Sequence, residues 1–131
     1  SPENPSPNFD RLLAMSDSVD VVLVSSYLST GTNVSNPNAP EPIAQFMRAM
    51  VRRHGKTVLV AFGNPYVLQQ VPAVATYLVA WGGFPVSQTA AARALLGTAP
   101  ITGRLPISIP PVLQFGAGFD RLSDARHAAS P

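Results

Sequence analysis

The chain has 131 residues, with nine Lys and Arg against seven Asp and Glu, two histidines, 14 prolines and no cysteine. At about 150 residues per domain this is one small domain or a piece of a larger one, and 46% hydrophobic residues set it apart from disordered chains. The lack of cysteine excludes a disulfide scaffold, a zinc ribbon and a thiol nucleophile. A net charge of +2 with a single basic cluster (Arg48, Arg52, Arg53, Lys56) argues against a nucleic-acid partner, and no apolar run is long enough for a membrane span.

In chain order, 1–8 holds three prolines and no large apolar side chain and reads as a linker. Phe9, Leu12, Leu13 and Ser16 have helical spacing, so a short helix is expected over 9–17. Residues 19–26 (VDVVLVSS) are β-branched and almost continuously apolar, the pattern of a parallel strand buried on both faces. Residues 30–40 form a long polar loop. Pro42 then suits the first turn of a helix to His54, with an apolar stripe of Ile43, Phe46, Met47, Met50 and Val51 and a stop at Gly55. A second buried strand is expected over 56–62 (KTVLVAF), followed by a Gly63-Asn64-Pro65 turn and a helical segment over 66–70. A third strand is expected over 76–81 (TYLVAW). A helix opened by Pro85 runs to Leu96 and stops at Gly97, and a last short strand spans 105–109 (LPISI). Pro106 confines that strand to an edge or an irregular end, because proline cannot donate to a ladder. Residues 120–131 lose apolar periodicity and read as a second linker or tail, leaving an ordered body over 9–119.

Alternation of strands and helices predicts an α/β domain with a mainly parallel sheet of about four strands. A first strand so soon after the linker predicts that the N-terminal part of such a fold lies outside this chain. Linkers at both ends are expected of a domain from a multidomain polypeptide, and a start at Ser1 of a processed or cloned segment. Charged residues are 12% of the total, against about 25% in a typical soluble domain, so part of the surface is expected to be covered by another domain or chain.

Few residues offer chemistry. Asp10 and Asp17 lie on the polar side of the first helix, Asp20 precedes a strand, Glu41 sits at a helix N-terminus, and Glu3, Asp120 and Asp124 fall in the tails. No pair is spaced for acid–base work, which needs two carboxyl groups about 5–9 Å apart. His54 sits in a basic helix end and His127 in a tail, so neither a metal site nor a Ser-His-Asp triad is indicated, and no cofactor is expected. Ser25 and Ser26 lack the G-x-S-x-G context, and F-G-N-P is not a nucleotide-binding glycine motif. Trp81 and most other aromatic residues fall in strands and stripes and read as core, with Tyr66 the exception. Sites in such folds lie at the C-terminal ends of strands. That rule nominates Ser26, Tyr27, Asn64 and Tyr66 as the residues closest to any substrate.

The order of these pieces resembles the family 3 glycoside hydrolases, specifically the later part of their C-terminal α/β domain. The resemblance is carried by V-D-V-V-L-V-S at 19–25, G-K-T-V-L-V-A-F-G-N-P-Y at 55–66, T-Y-L-V-A-W at 76–81, A-A-R-A-L-L-G at 91–97, P-I-T-G-R-L-P-I-S-I-P at 100–110 and F-G-A-G-F at 115–119. Gly103-Arg104-Leu105-Pro106, one short loop after the helix, is its most specific element. The resemblance implies a three-layer α/β/α sandwich, flavodoxin-like and incomplete here, whose last strand is antiparallel. It also implies a catalytic barrel domain, with the nucleophilic aspartate, elsewhere in the same polypeptide.

Family β-glucosidases often carry an acid/base glutamate in the loop that corresponds to residues 29–40, and here that loop has no acidic residue. That departure favours the β-N-acetylglucosaminidase branch, whose proton donor lies on the barrel. A non-catalytic domain of such a glycosidase is therefore expected. The competing reading is a free-standing carbohydrate- or protein-binding module. Self-association through the 20–26 strand edge is a further expectation, because an unpaired edge invites another chain.

Overall fold

A computed structural model describes residues 8–28 and 37–123, so the readings made on 1–7, 29–36 and 124–131 lie outside the described residues. The elements are α1 (Phe9–Ser16), β1 (Val22–Ser26), α2 (Glu41–Arg53), β2 (Thr57–Ala61), a 3-10 turn (Pro65–Gln69), β3 (Thr76–Val79) and α3 (Pro85–Leu96). Among the described residues the fold is α/β, with one three-stranded parallel sheet in the order β1-β2-β3.

Local chemistry explains the helix ends. The Asn8 side chain accepts the Arg11 N–H at 3.0 Å and caps α1. Proline in the first turn opens α2 and α3, where its missing N–H costs nothing. Gly97 closes α3 in the left-handed region, at φ 78°, and the Thr98 N–H returns to Arg93 O at 2.9 Å. Helix α2 ends differently from expectation. His54 is already extended, so the helix stops before Gly55 is reached. Its expected apolar stripe holds at Phe46, Met47, Met50 and Val51, which are buried or pack on the core, but Ala44 is buried in place of Ile43, which is exposed.

Side chains alternate across β2 and meet a different helix on each side. Leu59 and Ala61 join Ala44 and Met47 of α2, with Val67 and Val71 of the 3-10 region, in one buried cluster. Val60 and Phe62 join Ala91 of α3 in another. Strand β1 does not share this environment. Val24 packs with the α2 cluster, but Leu23 is 55% exposed and Val21 is exposed beside it. The expectation of burial on both faces therefore fails for β1. Leu23 pairs in register with Val58, yet the residues that cover the α3 side cluster on β2 and β3.

The expected strand at 105–109 does not form. Isolated antiparallel bridges join Ile109 to Leu113 and Ile101 to Arg121, and the backbone between them is irregular. Leu105 and Ile109 are nonetheless buried, in a cluster with Leu68 and the outer side of β3. Apolar anchoring at two positions thus holds a segment that Pro106, Pro110 and Pro111 keep from donating a regular ladder. Beyond the 9–119 body, Asp120 pairs with Arg104 and Arg121 with Ile101, so both still bond back to it. No described helix is long and apolar enough to cross a membrane.

Candidate functional site at the C-terminal ends of the strands

Parallel pairing puts the C-terminal ends of β1, β2 and β3 along one rim, and the chain turns sharply at each. After β2, Gly63 adopts φ 116°, and a Cβ there would stand 2.4 Å from the Leu28 carbonyl oxygen. Only glycine allows this close approach of two backbones. The next residue, Asn64, is 2% exposed. Its backbone N–H donates to Leu28 O at 2.9 Å, its side-chain amide donates to Pro37 O, and its Oδ1 accepts the Tyr66 N–H at 2.9 Å. Asn64 therefore ties residues 28 and 37 to the head of the 3-10 turn.

Gln70 acts similarly one turn later. Its amide accepts the Ala39 N–H at 2.8 Å and donates to Ala39 O at 3.1 Å. Arg48 in turn donates to Gln70 O at 3.2 Å and pairs with Glu41.

The four nominated residues are thus placed differently. Ser26 ends β1, and its carbonyl accepts the Phe62 N–H at 2.8 Å. Tyr27 is exposed, with its ring stacked on Phe62 at a centroid distance of 4.8 Å and an interplanar angle of 8°. Gly83, in the turn that follows β3, lies under the same ring, where a Cβ would come 3.1 Å from it. Tyr27 therefore links the end of β1 to Phe62 after β2 and to the turn after β3. Tyr66 is exposed at the rim. Asn64 is turned inward and spends both ends of its amide on the chain.

Trp81 was missed by sequence reasoning. It reads as strand core, but it is 49% exposed and holds the left-handed backbone, at φ 56°. Non-glycine residues in this region are uncommon and gather at functional or over-determined positions. Phe84, Phe115 and Phe119 are likewise exposed and not core. The available signal was Gly82-Gly83, a turn pair directly after the indole that argues against Trp81 lying inside a strand.

Asp17 holds the Arg53 guanidinium in a two-point contact at 2.8 and 2.6 Å, and that hydrogen bond lowers its carboxyl below the ordinary range. Asp120 pairs with Arg104 at 2.8 Å. Burial pushes the Tyr77 phenol up, while its O–H donates to Pro65 O. His54 bridges Val19 O, at 2.8 Å through Nε2, and the Lys56 N–H, at 3.2 Å through Nδ1, which is a structural clasp between α2 and the entry to β1. Among the described residues no group of three His, Asp or Glu is placed to hold a metal.

Ninety residues of the chain, 67% of it, are 38% identical to a β-N-acetylglucosaminidase/β-glucosidase of Cellulomonas fimi. The chain is a relative of the family 3 glycoside hydrolases. It spans 16% of the length of that curated relative. No family model matches the chain, and no solved structure does. In this family 3 relative, Glu41, at the head of α2, is exposed and tied to Arg48.

Proposed function

We propose that the chain is the later part of the C-terminal domain of a family 3 glycosidase, contributing no catalytic group of its own. The parent enzyme would hydrolyse terminal β-linked N-acetylglucosamine, with nucleophile and proton donor on a separate barrel domain of the same polypeptide. In this reading the chain completes a three-layer α/β/α sandwich whose missing strands precede β1. Its strand-end rim, with Tyr27, Tyr66 and Trp81, would face the barrel.

The observation that carries this reading is the 38% identity to a protein named for both glycosidase activities, over 16% of that protein's length. Strand β1 is an edge strand among the described residues, and Val21 and Leu23 on one of its faces are exposed, which supports the view that further strands belong beside it and a helix over that face. Low charge agrees with a rim that another domain covers.

The test is turnover of aryl β-N-acetylglucosaminide and aryl β-glucoside by the 131-residue chain and by its full-length parent protein. The isolated chain should release no aryl product, the parent should prefer the acetamido sugar, and Glu41→Gln in the parent should leave kcat within about twofold. Release of product by the isolated chain that disappears with Glu41→Gln would refute the non-catalytic role.

A further inference from the structure

A groove of about 440 Å³ runs between β3 and the irregular segment that follows α3. Tyr77 and Val79 belong to one side of the sheet and Leu78 to the other, yet all three line it. A groove that touches both faces of a strand runs along that strand's edge. The Ala80 N–H donates to Ala61 O at 2.9 Å, so even-numbered residues turn their backbone groups toward β2 and Tyr77 and Val79 turn theirs into the groove. No strand pairs with this edge among the described residues.

The opposite wall has no such need. Leu105 donates to Ala117 O at 2.9 Å and accepts from the Gly116 N–H at 2.8 Å, while Ile101 and Arg121 exchange bonds of 2.7 and 2.8 Å. The one charged residue that lines the groove, Arg104, is paired with Asp120 and donates to two carbonyls. The remaining walls are apolar side chains such as Leu105, Leu113 and Val79.

An occupant must therefore present donors and acceptors at the repeat of an extended backbone, and apolar, uncharged side chains to the walls. A saccharide does not present donors and acceptors at the repeat of an extended backbone; a peptide strand does, and it brings apolar side chains as well. We propose that this groove is a strand-docking site that takes an extended, apolar, uncharged segment from the further polypeptide of the same protein, as a fourth strand along β3. The source is argued from length: the chain spans 16% of its Cellulomonas relative. It is argued also from charge, since the groove offers no free ion to attract a charged partner. The inference rests on the family relationship and not on the activity proposed above.

The test follows amide exchange of the 131-residue chain by NMR, alone and with the peptide acetyl-Thr-Val-Ile-Val-Thr-amide. Alone, the Tyr77 and Val79 amides should exchange far faster than the ladder amide of Leu78, and the peptide should slow both by about tenfold or more. A peptide with aspartate at its two valines should have no effect. Val79→Pro should keep the fold, because that N–H faces outward, and lose the peptide. As a check that does not depend on a variant, N-methylation of alternate peptide amides should abolish protection in the unaltered chain.

Slow exchange of Tyr77 and Val79 in the chain alone would mean that residues 105–109 already pair there, and would overturn the proposal. So would protection that appears only with a dimer in sedimentation, equal binding of the charged peptide, or no response to peptide.

Discussion

Strands β1 and β2 have almost the same sequence character, V-L-V-S-S against T-V-L-V-A, and very different surroundings. In β2, Leu59 and Val60 are each 1% exposed, one against α2 and the other against α3. In β1, Val24 is covered and its neighbour Leu23 is open. Composition sets how much apolar surface a strand offers. Position in the sheet sets how much of it is buried, and among the described residues β1 lies at an edge with a helix on one side only.

The sharpest way to break this comparison is to truncate both leucines. Leu59→Ala should cost about 2–5 kcal/mol, because it removes buried methyl groups and leaves a cavity. Leu23→Ala should cost less than about 1 kcal/mol, as at other exposed positions. Urea denaturation of the chain checks both, and equal losses would mean that β1 is covered in solution.

The turn that joins the two strand ends comes next. Gly63→Ala should cost about 1–3 kcal/mol, because a Cβ meets the Leu28 carbonyl on a left-handed backbone. Gly55, with nothing near its would-be Cβ, should accept alanine within about 0.5 kcal/mol.

Asn64→Ala should cost about 1–2 kcal/mol by removing the cap on Tyr66 and the bond to Pro37. Asn64→Asp should restore the cap and not the donor. The two variants therefore separate the effect on the 3-10 turn from the effect on the loop base.

The smallest expected effect concerns Asp17 and Arg53, which join α1 to the end of α2. The folded carboxyl titrates below its ordinary value, chiefly through the Arg53 hydrogen bond. Its contribution is therefore present above the unfolded carboxylate range, near pH 4, and is lost as pH falls through the lowered folded value. Asp17→Asn should flatten the acid limb of the stability profile slightly, since the pair is exposed and screened. An unchanged acid limb would show that the pair contributes nothing.

Much of the fold was legible in the residues. Pro85 to Leu96 was bounded by its proline and Gly97, and β2 and β3 by apolar runs between turns. The segment at 105–109 misled because a β-type composition was read without its wall: Leu105 and Ile109 are buried as a strand's side chains would be, but on irregular backbone. Of the strand-end residues, Ser26, Tyr27 and Tyr66 could be placed at the rim from strand polarity alone. Two facts needed coordinates. One is that Asn64 turns inward, which depends on where Leu28 and Pro37 lie. The other is that Trp81 turns outward, which depends on a backbone angle that its residue type disfavours.

By itself the sequence determined which segments form the helices and the three parallel strands, to within a few residues at their ends, and the family 3 relationship, because periodicity, caps and turn residues act over a few neighbours and motifs keep their order. Tertiary structure alone decided which strand is covered twice, which amide staples the loop, and that an unpaired edge of β3 lies in an apolar groove. Each of these depends on groups brought together from distant parts of the chain, and no local pattern encodes who meets whom.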